Sequence, residues 1–209
     1  MTRAEPTTTT ETTPAESGFR RRLLDAMAEA VRARGYRDAT VADVVRNART
    51  SRRTFYEHFT SKQDCFIALL TERNNETIRQ IYDAVDPNAS WRTQVRQAIE
   101  AWIHASQADA TITLAWIRDT PALGESARQL HHDAAEAFIT LIQTLTTTPG
   151  FEAPELHPPS RQMATILYGG FRELIASTVE EGRDITEITA IAVDTAIALV
   201  GPRYDPPIP

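Results

Sequence analysis

From Gly18 onward, apolar residues recur three and four positions apart, and no stretch shows the period of two expected of a half-buried strand. The pattern predicts an all-α chain of about nine helices. Phe19, Leu23, Met27 and Val31 stand four apart and define the first, which Gly35 closes as the residue after its C-cap. Thr40, with Asp43 three positions on, reads as the N-cap of a second helix that buries Val41, Val44, Val45 and Ala48. A third begins after Ser51 and lasts about two turns. A fourth begins near Ser61 and runs through Phe66, Leu70, Ile78 and Ile81 to Val85, where Asp86-Pro87 stops it.

Beyond Pro87 the helices lengthen. Trp91, Val95, Ile99 and Trp102 mark one, and Ile112, Ala115 and Trp116 mark a shorter one before Pro121. Leu130, Ala134, Phe138, Leu141 and Leu145 mark the next, ahead of Pro149-Gly150. Met163, Leu167, Phe171, Leu174 and Thr178 lead to Gly182, and Ile188, Ile191, Thr195 and Leu199 trace the last. No internal repeat or long heptad run appears. Residues 1–17, rich in Thr, Pro and Glu, predict a disordered tail, residues 18–64 a compact helical module, and residues 65–209 a larger helical domain.

Charge changes this picture. The chain carries −6 overall, yet residues 19–62 hold eleven Arg/Lys against five Asp/Glu, so the module is +6 and the remainder −12. A basic module on an acidic body is the electrostatic footprint of a nucleic-acid reader. The cations are nearly all Arg; Lys62 is the single lysine. Cys65 is the one cysteine, which excludes an intrachain disulfide and suits a reducing cytoplasm. No apolar run approaches the roughly 18 residues that cross a bilayer, so no membrane partner is expected.

The second and third helices and the short turn between them form a helix-turn-helix. Phe55 and Phe59, four apart, face inward; Arg52 and Tyr56 then share an outward face, with Arg53 beside them and Thr54 and His58 flanking. A recognition helix enters the major groove with its N-terminal residues at the base edges, where Arg52 and Arg53 can reach guanine bidentately. Thr40, Tyr56, His58 and the Thr54 hydroxyl suit phosphate clamping. Lys62 falls in the first turn of the fourth helix, where a cation opposes the macrodipole, and a phosphate would supply the missing negative charge.

The segment Ser51-Arg-Arg-Thr-Phe-Tyr-Glu-His-Phe-Thr-Ser-Lys62 resembles the DNA-binding signature of the tetracycline-repressor (TetR) family of bacterial regulators. The likeness covers Phe19 to about Leu70, roughly a quarter of the chain. It implies that Thr40, Tyr56, His58 and Lys62 contact phosphates of a double-stranded operator, and that Arg52, Arg53 and Thr54 contact bases. The chain departs from the family in the turn, where Gly and an aliphatic residue are usual and Arg49 and Thr50 stand instead. A non-glycine residue with positive φ there costs on the order of 1 kcal/mol, unless the turn is reshaped.

The resemblance further implies a C-terminal domain that dimerises through its last two helices and encloses an effector pocket. Residues 188–200 (ITAIAVDTAIALV) are apolar around nearly the whole helix, which fits one face on its own core and one on a partner copy; complete burial within a monomer is the rival reading. Gly169-Gly170 would let another helix approach closely. For the pocket, Trp102, Trp116, Phe138 and Tyr168 are candidate walls, with plain core as the alternative, and His104 and Arg118 are candidate polar contacts. Such walls suit a hydrophobic or aromatic effector. His131 and His132 point about 100° apart on a helix and do not suit one metal. Nucleophile, phosphate-loop and zinc motifs are absent, so neither cofactor, metal nor enzymatic activity is expected.

These features predict a homodimeric, cytoplasmic transcriptional repressor released from DNA by a small molecule. Two rivals stand beside it. An effector-independent DNA binder would keep its operator whatever ligand is added. A helical small-molecule enzyme with an incidental basic module would retain turnover in Arg52→Ala and Tyr56→Ala variants.

Overall fold

A computed structural model describes residues 14–152, 156 and 159–201. Among these residues the protein folds into nine α-helices, three short 3-10 turns and no strand. α1 spans Pro14–Asp38, α2 Val41–Asn47, α3 Arg52–His58 and α4 Lys62–Ala84. α5 (Trp91–Ala108), α6 (Ala110–Arg118), α7 (Glu125–Leu145), α8 (Arg161–Glu180) and α9 (Thr189–Val200) follow. The tail expected over residues 1–17 lies outside the described residues as far as residue 13; residues 14–17 already belong to α1, with Pro14 at its first position, where a missing N–H costs nothing. No helix among the described residues is long and apolar enough to cross a membrane.

Capping fixes the small helices. The Thr40 hydroxyl accepts the Asp43 N–H while the Asp43 carboxylate accepts the Thr40 N–H at 3.0 Å, a reciprocal capping box. Ser51, Ser61, Ser90 and Ser160 each accept an N–H three residues on, at the starts of α3, α4, α5 and α8. α2 ends in a Schellman motif: the Arg49 N–H reaches Arg46 O at 3.1 Å and the Thr50 N–H reaches Val45 O at 2.9 Å. Arg49 is the residue that turns left, with φ 50°, the only non-glycine at positive φ among the described residues. The turn therefore keeps the geometry that glycine would make easy, and two otherwise orphaned carbonyls offset the strain at Arg49.

Three apolar clusters hold the helices together. The first joins α1 to α4 through Leu23, Met27, Val44, Phe55 and Phe66, and extends to Ile112, Ala115 and Leu130 of α6 and α7. Cys65 belongs to it; burial pushes its thiol up to about 12, the behaviour of a packing residue. The second joins α5, α8 and α9, and the third bridges α4, α7 and α8 through Ile81, Phe138, Leu141 and Tyr168. Only part of the 188–191–195–199 series that traces α9 faces inward, Ile188 being buried. Ala192, Val193, Ala196 and Val200 are buried, while Ile191 is 57 % exposed and Thr195 is exposed. A helix apolar on every side carries no periodic signal to choose between faces.

Candidate functional sites

The outward face of α3 is where the sequence places it. Phe55 and Phe59 are buried, whereas Arg52 and Arg53 are exposed and Tyr56 is 57 % exposed. Tyr56 stands edge-on against Phe55, which holds the phenol outward on a rigid base. Arg53 lies along the surface, its Nε donating to Glu57 at 3.1 Å. The Thr54 and Ser51 hydroxyls lie 3.1 Å apart, and His58 is half-buried beside Phe59.

Two residues expected to hold phosphates have their donors occupied. Both donors of Thr40, hydroxyl and backbone N–H, go to the Asp43 carboxylate, at 2.6 Å and 3.0 Å. With Arg46 also on that carboxylate at 2.6 Å, Asp43 is held down at about 2, the Thr40 hydroxyl being the largest cause. Lys62 points into the protein. Its Nζ donates to the carbonyls of Tyr36, Ala39 and Arg37 at 2.9, 2.9 and 3.1 Å and lies 4.4 Å from the Tyr36 ring centre. An ammonium has three N–H bonds, and all three are used. The negative partner that a lysine at a helix start needs is thus supplied by the end of α1; periodicity gives no hint of this, because the partners are backbone groups 23 to 26 residues away.

Ion pairing also narrows the basic footprint. Arg20, Arg32, Arg34, Arg37, Arg46 and Arg53 face carboxylates, while Arg21, Arg22, Arg49 and Arg52 face none among the described residues. Arg49 precedes the Ser51 cap of α3, so it stands next to the reading face.

Inside the C-terminal helices lie two cavities on either side of a shared wall formed by Trp102, Phe138 and Tyr168. Trp102 packs against Phe138 at 5.0 Å and Tyr168 at 6.3 Å between ring centres, so three of the expected wall residues are brought together. The first cavity, about 80 Å³, is bounded by α5, α7, α8 and α9 and is almost wholly apolar. Gln94, in its wall, is satisfied by Pro87 O, Ala89 O and the Thr148 hydroxyl. The second, about 100 Å³, adds Trp116, Arg172, Arg73 and Asp109 to the walls.

The polar residues are not those expected. Arg118 lies on the surface, clamped by Glu173 and Glu180 through four hydrogen bonds of 2.7 to 2.9 Å. His104 is exposed, in an open groove beside Gln97 and Thr189. In their place stands Arg172, in the wall of the second cavity, with His131 as its partner outside that wall. Arg172 Nη2 lies 3.1 Å from His131 Nε2, and because arginine can only donate, that ring nitrogen accepts. Burial and the neighbouring Arg172 cation both push the His131 pKa down, which keeps the ring neutral. The sequence signal for Arg172 is its place directly after the aromatic residues Tyr168 and Phe171 of α8.

The second cavity abuts the helix-turn-helix directly. Leu70 and Ile112 line it and also belong to the core around α1–α3. Asp109, in the wall and N-cap of α6, takes a bidentate grip from Arg32 of α1, the shortest contact being 2.6 Å. Gln63 donates to Leu123 O at 2.7 Å, a further tie between the start of α4 and the segment after α6.

Residues 23–69 match the family model for bacterial regulatory proteins of the tetR family. No curated protein sequence matches the chain. Among solved structures, the fatty acid degradation regulator FadR of Bacillus halodurans superposes with a TM-score of 0.73 at 16% identity, over 87% of this chain and 99% of that one. FadR of Bacillus subtilis, in complex with stearoyl-CoA, gives 0.71 at 14% identity over 87% and 99%. A tetR-family regulator from Streptomyces coelicolor gives 0.72 at 14% identity over 88% and 80%. The chain resembles this family in its N-terminal sequence and has the all-α fold of its members.

Proposed function

We propose that the protein is a transcriptional repressor that binds a palindromic operator as a homodimer and releases it when a small molecule occupies the C-terminal cavities. The observation that carries this reading is the double membership of Leu70 and Ile112, which wall the second cavity and pack the core of the helix-turn-helix. A ligand that reshapes the cavity must move residues on which α1–α3 rest.

On this reading residues 18–64 read DNA and residues 65–209 sense and dimerise, with α4 shared between them. Arg52 and Arg53 face base edges, with Thr54 beside them, and Tyr56 and His58 hold the backbone, joined by Arg49. Thr40 serves through its cap and Lys62 by fastening α4 to α1, so both position the reading head. α4 is 23 residues long, about 35 Å, with Lys62 at one end and Arg73, Thr77 and Ile81 against the cavities further along. A tilt of that rod on ligand entry changes the spacing of two heads that must meet half-sites about 34–36 Å apart. Coupling of about 1–3 kcal/mol would be typical of such a switch.

Support for a dimer comes from the outer face of α8 and α9. Ile166 is 62 % and Ile191 57 % exposed, and space is open above Gly169 and Gly170. Among the described residues nothing comes within 4 Å of a Cβ placed on either glycine, which suits a second copy there. The stearoyl-CoA complex of the similar Bacillus subtilis structure supports a ligand with an apolar part.

The test is DNA binding by native protein across a salt series, beside the Arg52→Ala/Tyr56→Ala variant. Native affinity should fall steeply with salt and the variant should lose at least tenfold; salt-insensitive or unchanged binding would overturn the proposal.

A further inference from the structure

We infer that the second cavity takes a carboxylic acid with an apolar body, its carboxylate on the Arg172 guanidinium and its body against Trp102, Phe138 and Tyr168. The inference rests on the reading of the cavities as the effector site.

No carboxylate among the described residues makes an ion pair with Arg172, although the guanidinium charge helps hold the adjacent Glu173 ionised. The acids around it are already held: Asp109 by Arg32, and Glu173 and Glu180 by Arg118. The hydrogen-bond partners of Arg172, the neutral imidazole of His131 at 3.1 Å and the Tyr168 hydroxyl, carry no charge, and its buried Nε has no partner. A buried guanidinium N–H without an acceptor is uncommon, and a charged acceptor satisfies it best. Below the guanidinium lies the Tyr168 ring, 5.2 Å from Cζ, which fixes its plane; burial raises the Tyr168 pKa, so the phenol remains a neutral O–H. Arg73 adds a second positive charge at the exposed edge of the cavity. The remaining wall is mostly aromatic and aliphatic, with Asn74, Thr77, Ser106 and Thr113 interspersed among its apolar side chains, and beyond the shared rings lies the nearly featureless first cavity, so the body of the ligand is mainly apolar. A neutral aromatic effector would leave the cation unanswered.

The experiment follows tryptophan fluorescence, Trp102 and Trp116 being in the walls, and calorimetry while decanoate, 4-phenylbutyrate and their primary amides are titrated into the full-length protein. Each acid should bind at least about tenfold more tightly than its amide. Arg172→Gln should weaken the acids by about 10- to 100-fold and change the amides by less than about threefold, while Arg172→Lys keeps part of the preference. Equal affinities of acid and amide, no binding of either acid, or a preference that survives in Arg172→Gln would overturn the inference. Should Arg172→Gln fail to fold by circular dichroism, the acid-to-amide ratio on native protein and Arg172→Lys decides the matter. DNA binding without ligand is measured in parallel. Intact DNA binding with no acid preference defeats this inference alone; acid preference without DNA binding defeats the regulator reading alone.

Discussion

Replacing Lys62 by Met keeps the aliphatic stem and removes the ammonium. Three carbonyls lose their donor: those of Tyr36 and Ala39 are partly buried, and that of Arg37 is open to water. Water can replace the last bond, so the loss falls mainly on two charge-assisted bonds, at about 1–1.5 kcal/mol each once partial hydration is allowed for. The resulting 2–3 kcal/mol corresponds to a fall in the thermal midpoint of about 4–12 °C for a chain of this size. Phosphate contact makes a different forecast. It would leave the midpoint nearly unchanged and reduce the salt slope of DNA binding by about 0.9, the worth of one neutralised phosphate. Calorimetric unfolding together with fluorescence anisotropy on a random duplex between about 50 and 200 mM salt separates the two. A lower midpoint with an unaltered slope supports the clasp, and an unaltered midpoint with a flatter slope refutes it.

Arg53→Ala should relax preference at a single base position by about 1–3 kcal/mol, with stability changed by less than 1 kcal/mol, because its pair with Glu57 is a surface ion pair; selection from random DNA and thermal melts check the two halves. His131 has a lowered pKa, so the folded state binds protons less readily than the unfolded chain, and stability should fall as pH drops through the ordinary histidine range. His131→Asn, which still offers Arg172 an acceptor, should flatten the dependence of the melting midpoint between about pH 7.5 and 5.5; parallel curves would disprove the assignment. Asp43 is held near 2, so its contribution is complete above the usual carboxylate range and fades as pH falls from about 4 to about 2. Asp43→Asn should therefore melt lower than the native protein at neutral pH, with the difference closing over that acid window.

Much of the fold was legible because local rules and burial agreed. Thr40 with Asp43 and Ser61 with Asp64 announced helix starts, and Asp86-Pro87 announced a stop. Phe55 and Phe59 fixed the orientation of α3, and with it the exposure of Arg52 and Tyr56. Arg49 was readable as a left-handed residue because the turn demands one. The partners of Lys62 were not legible, because they are backbone carbonyls 23 to 26 residues away rather than groups of its own helix. Arg118 and Arg172 are 54 positions apart in sequence and sit on neighbouring helices, and only packing reveals which has carboxylates within reach. For α9, uniform apolarity hid the inward face, since Ile191 and Ala192 are equally acceptable to a periodic template.

The central claim is that α3 reads DNA in two copies. Selection of bound duplexes from a random pool by the full-length protein, with sedimentation of the complex to count protomers, tests it directly. The account predicts inverted-repeat sequences with half-sites about one helical turn apart, two protomers per short duplex, and loss of enrichment in Arg52→Ala. A pool without enrichment, or one enriched equally by Arg52→Ala, would contradict it.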